Sequence, residues 1–180
     1  TEGKKSNNLD FSCTFVRHQS RTLGLQAVTN HVRMTTDPFT MESVNNFNGA
    51  LIPCLVELGD SAPSDNFAAN CAYAALSSVA NKCASHADGT QGRKWLADLV
   101  VTLLRGLENS SADVRLRIID CMQVIVGDVR EPMLSVLPEM IPLLAEALDD
   151  EDESVEMRVR QLVASLENIL GDPILPSMQK

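Results

Sequence analysis

The segment "IPCLVEL" at 52–58 returns as "IPLLAEA" at 141–147, and "VVTLLRG" at 100–106 fills the slot between them without the proline. Leu55, Leu103 and Leu144 are thereby equivalent, 48 and 41 residues apart. The segments that follow repeat as well, with Phe67, Val114 and Val155 aligned at intervals of 47 and 41. A recurrence of ~40–47 residues is the period of stacked helix pairs. A single pair cannot bury both of its apolar stripes, so such a chain folds by stacking each pair on the next. The longer interval contains "ASHADGTQGRK" at 84–94, expected to be a polar loop, where an insertion costs least.

Apolar spacing predicts the helices themselves. Val44, Phe47, Leu51, Leu55 and Leu58 mark one face of a helix over 41–58. Ala68, Ala72, Leu76, Val79 and Cys83 do so for the next, with Ser64 or Asp65 as its cap. Helices are expected over 95–108, 112–127, 133–148 and 153–170, with Gly171 and Pro173 as a stop. Ahead of them lies a helical pattern from Leu9, broken by "TTDPFT" at 35–40. Alternating strand patterns are not found. The expected organisation is a disordered lead-in over 1–8, then one array over 9–180. That array comprises an N-terminal helix (9–36) and repeats over 41–83, 95–127 and 133–170, taken as the end of a longer solenoid.

Composition agrees with helix on helix, since 44% of residues are hydrophobic but only 4% aromatic. The apolar runs fall short of the ~20 residues needed to cross a bilayer. "TEGKKSNNLD" lacks the apolar core of a signal peptide, although the chain begins at Thr1 and a leader upstream stays open. The five cysteines are odd in number and lie mainly in apolar helical stretches, which favours a reduced compartment. Cys83 with His86, and Cys13 with His18 and His31, do not assemble the four converging ligands of a zinc site. No nucleophile–base pair or phosphate loop appears, and "ADGTQGRKW" at 87–95 lacks Walker spacing. The expectation is a non-enzyme without metal or cofactor.

Charge is unevenly spread. The net charge is −9, yet residues 1–36 carry Lys4, Lys5, Arg17, Arg21 and Arg33 against Glu2 and Asp10, a balance of +3 that leaves −12 for the remainder. Phosphate contacts require Lys and Arg. Contact with RNA or an acidic partner is therefore expected, if anywhere, at Arg17, Arg21 and Arg33.

Prolines inside the first helix of a pair (Pro53, Pro142) and the opening "ADVRLR" at 112–117 resemble HEAT repeats. The resemblance implies an all-α, HEAT-like α-solenoid of about three helix pairs plus an N-terminal helix. It also implies an inter-repeat ladder in which Asp113 and Arg115 take part. "ESVEMR" at 153–158 departs from that pattern. A narrower resemblance lies in "NSSADVRLRIIDCMQVI" and "LPEMIPLLAEALDDEDESVEMRVRQLVASLENILGDPI", with "LIPCLVELGD" matching the repeat before. These segments resemble the C-terminal end of the large HEAT-repeat protein family of the small-subunit processome, associated with the U-three small nucleolar RNA. The resemblance implies a nuclear, nucleolar, non-enzymatic scaffold. Its partners would be other processome proteins and, at the level of the complex, the U-three small nucleolar RNA and pre-ribosomal RNA. Its roles would be pre-ribosomal RNA processing and ribosomal DNA transcription. A HEAT adaptor of another kind, for transport or phosphatase assembly, shares the prolines and "DVR" but fits the "LENILGDP" ending less well.

Between the last two expected helices stands "DDEDE" at 149–153. Carboxylates at the start of a helix are favoured by its dipole, but Asp149 and Asp150 sit at the end of the preceding one. Two readings stay open for Asp149, Asp150, Glu151 and Asp152: a solvated turn, or a docking surface for a basic partner.

Overall fold

The computed structural model describes residues 7–36, 39–61, 65–86 and 89–174, with side chains at 7–18, at Ser61 and at Gly89 outside the description. Among the described residues seven α-helices follow one another: α1 (Asn7–Met34), α2 (Met41–Ser61), α3 (Asn66–Ala84), α4 (Gly89–Leu104), α5 (Ala112–Val129), α6 (Leu137–Ala147) and α7 (Glu153–Leu170). Short 3-10 turns at Arg105–Glu108 and Glu131–Val136 extend α4 and lead into α6. Among the described residues there is no strand.

The helices form two layers. In one, α1 packs on α3, α3 on α5 and α5 on α7; in the other, α2 packs on α4 and α4 on α6. Sequential neighbours α2 and α3, α4 and α5, and α6 and α7 join the layers. This is an all-α solenoid, and α1 stands in the layer of the second helices. Its seam is continuous: Leu55, Leu76, Leu103, Ile118, Leu144 and Leu166 are all fully buried. No described helix is long and apolar enough to cross a membrane.

Helix ends have local causes. Asp65 accepts from the Ala68 amide at 3.1 Å, Ser111 from Val114 at 3.4 Å, and Asp152 from Ser154 and Val155 at 2.9 and 3.3 Å. Each satisfies first-turn N–H groups that have no partner within the helix. Gly171, at φ 83°, closes α7 by donating to Glu167 O at 2.8 Å. The alternative cap Ser64 lies outside the described residues.

Two expectations are corrected. The aligned position in α3 is Ala68, not Phe67: Ala68, Val114 and Val155 stand three residues after their caps and are fully buried, whereas Phe67 is 66% exposed. The loop expected over 84–94 is also shorter, because α4 begins at Gly89. Gly92 serves there as a contact surface rather than as loop punctuation. A Cβ on it would stand 2.3 Å from Cys83 O, so only glycine lets α4 pass this close to the end of α3.

Candidate protein-docking surface

The acidic turn between α6 and α7 does not act as one block. Asp150 turns inward. Its Oδ1 accepts from Arg115 Nη2 at 2.8 Å and from the Asp152 amide at 2.9 Å. Arg115 Nε lies 2.8 Å from Asp150 Oδ2 but is too poorly aligned to donate, so that second contact is Coulombic. Both side chains are nearly buried, 6% and 9% exposed. Arg115 also donates from Nη1 to Asn109 O at 2.8 Å and to Ser110 O at 3.2 Å. One guanidinium thus ties the turn before α5 to the turn before α7. Asp152 is the α7 cap, while Asp149 and Glu151 face solvent, Glu151 being 87% exposed and 3.9 Å from Arg115 Nη2.

Asp113 is exposed on the first turn of α5 and takes no part in this node. Other cross-repeat contacts lie in both layers: Arg93 of α4 donates to Ser135 O at 2.9 Å and to Glu139 Oε1 at 2.7 Å, and those that follow join second helices. Arg117 donates to Asn66 Oδ1 at 3.0 Å and to Tyr73 Oη at 3.4 Å, and Arg158, one 41-residue period later, to Asp120 at 2.9 Å. Ser77 donates to Asp128, and Gln123 to Ser165 at 2.6 Å. Arg117 and Arg158 are not among the residues expected from the sequence, and their spacing by one period is the signal that marks them there. Burial pushes the Tyr73 hydroxyl up to about 12, partly offset by the Arg117 guanidinium.

At the N-terminal side, Arg21 pairs with Glu57 and Arg33 Nε donates to Ser78 Oγ at 3.1 Å. The Arg17 side chain lies outside the described residues, as do those of Cys13 and His18. Among the described residues, no group of three or more His, Cys, Asp or Glu side chains could hold a metal. His86 instead meets the Trp95 ring edge-on at 4.5 Å, and Cys83 is buried. Burial holds the Cys83 thiol up at about 12 and raises that of Cys121 as well, so neither is a ready nucleophile.

Above the Arg115–Asp150 node lies an open groove of about 410 Å³ between the Arg105–Glu108 turn and the end of α6. Its floor is Leu104, Leu107, Leu143 and Ala147, and exposed Glu108, Glu146 and Glu151 stand around it.

No family model matches the chain. It is similar to segments of fungal proteins named U3 small nucleolar RNA-associated protein 10. The Neurospora crassa protein is 33% identical over 130 residues, 72% of this chain and 7% of that protein. The Chaetomium globosum protein is 36% identical over 96 residues, 53% of this chain and 5% of that protein. The Debaryomyces hansenii protein is 26% identical over 156 residues, 86% of this chain and 8% of that protein. The chain therefore spans less than a tenth of the length of these relatives.

Proposed function

We propose that this chain, which is homologous to a segment of U3 small nucleolar RNA-associated protein 10, is a scaffold segment of the small-subunit processome. The carrying observation is the likeness itself, 33% identity across 72% of the chain. A two-layer solenoid suits the role, because stacked helix pairs present a long surface on a rigid frame. In this reading the segment works in the nucleolus, without catalysis, in pre-ribosomal RNA processing and, through the larger protein, ribosomal DNA transcription. Its direct contacts are with other processome proteins; the U3 small nucleolar RNA and pre-ribosomal RNA are partners of the whole complex. Charge supports that division, since residues 37–180 carry −12 and phosphate binding needs cations.

The test is to tag the full-length protein containing this segment, purify it from cells and sequence the RNA that accompanies it. Enrichment of U3 small nucleolar RNA with pre-ribosomal RNA is the expected result. Recovery of transport factors or phosphatase subunits in their place would overturn the reading in favour of a different HEAT adaptor.

A further inference from the structure

We infer that the groove beside the Arg115–Asp150 node is a docking site for a basic, partly apolar peptide segment of a partner protein; for its biological setting this rests on the scaffold reading above. Three observations converge. The floor is apolar, with Leu107 and Leu143 only partly covered, so a leucine-sized side chain laid across them would remove apolar surface from water. The rim carries charge of one sign, since Glu108, Glu146 and Glu151 are exposed carboxylates. Among the described residues that line the groove, the one guanidinium is that of Arg115, which is 6% exposed and committed to Asp150 and two backbone carbonyls, so it offers nothing to an anion. An anionic ligand, RNA included, would meet repulsion at the rim without a counter-charge. Lysine and arginine fit both parts, laying their methylene stems on leucine while the charged heads reach glutamate. The node also fixes the groove in place, because one buried ion pair joins the two turns that form its walls; little ordering is left for binding to require.

The test uses the whole chain and a fluorescent peptide in which leucines are interspersed among lysines and arginines. Two control peptides replace the leucines by serine or the cations by glutamate. Binding is read by anisotropy at physiological salt. Expected is saturable binding that weakens about tenfold in the protein variant E108Q/E146Q/E151Q, and also with the serine peptide. A charge-matched variant, E42Q/D60N/D98N, removes remote carboxylates and should bind as the wild type does. Equal binding by both variants, or indifference to the leucines, would mean diffuse attraction to an acidic protein and would overturn the assignment. So would tighter binding of the glutamate peptide. All three substitutions in the groove variant are at exposed residues, and unchanged melting confirms that folding is not the cause. The outcome is separable from the scaffold reading. Loss of groove binding with U3 small nucleolar RNA still recovered removes only the groove, and groove binding without that RNA removes only the processome role.

Discussion

Arg115 and Asp150 are 35 residues apart in sequence, yet they form a nearly buried ion pair that locks the turn before α5 to the turn before α7. Removing one partner strands the other charge away from water, which costs about 3–5 kcal/mol. Arg115→Ala is the harsher direction, since it also leaves Asn109 O and Ser110 O without their donor. Urea unfolding of R115A, D150A and the double variant should reveal strong coupling, with the double variant far less destabilised than the sum of the singles. Additive losses would show that the pair does not act as a unit.

The acidic turn should split into two kinds of residue. Asp152→Ala removes the α7 cap and should cost about 0.5–2 kcal/mol. Asp149→Asn and Glu151→Gln face solvent and should stay within about 0.5 kcal/mol of wild type. Equal effects at all positions, read as melting temperatures, would contradict this division.

Leu144 and Leu166 are fully buried in α6 and α7. Leu144→Asp or Leu166→Asp places an unpaired carboxylate in the seam and should unfold at least the last pair, lowering far-UV helicity at ambient temperature. The milder Leu166→Ala should cost about 2–5 kcal/mol. Unaltered spectra and melting for the aspartate variants would refute the stacked arrangement.

Glycines should respond oppositely according to the space around them. A Cβ at Gly59 would sit 2.7 Å from the Val114 Cα, and one at Gly92 would sit 2.3 Å from Cys83 O, so G59A and G92A force helices apart. Each should destabilise by about 1–3 kcal/mol. Gly127 lies within α5 with open space around it, so G127A should stabilise by about 0.5–1 kcal/mol. Chemical denaturation of the three variants checks both signs.

The buried cysteines should be unreactive in the folded chain, and Cys83 should make stability pH-dependent. With its thiol held at about 12 by burial, Cys83 stays protonated at pH 8 and should not react with a thiol reagent. Cys121, also raised by burial, should be equally silent toward a thiol reagent until the chain unfolds. A raised folded pKa stabilises while the thiol stays protonated. The contribution of Cys83 is therefore complete below about pH 9 and is lost as pH climbs toward 12. Rapid labelling of either residue in the native chain at pH 8 would contradict the burial described.

The helices and their inward faces were written locally. Val44, Leu51, Leu55 and Leu58, like Val155, Val159, Leu162 and Leu166, recur at helical spacing and are buried as that spacing implies. A recurrence at 41–48 residues was enough to announce stacked pairs. Neighbouring residues are held at known angles by the backbone itself, so such patterns can be read without the fold. What Asp150 touches could not be read that way. In "DDEDE" all five residues are acids of the same kind, and only the packing of α5 against the turn before α7 singles out one for Arg115, another for the cap, and leaves Asp149 and Glu151 in water. The role of Gly92 was hidden for the same reason. A glycine that punctuates a loop and one that admits a neighbouring carbonyl look alike in sequence, and they separate only when α3 and α4 are brought together in space.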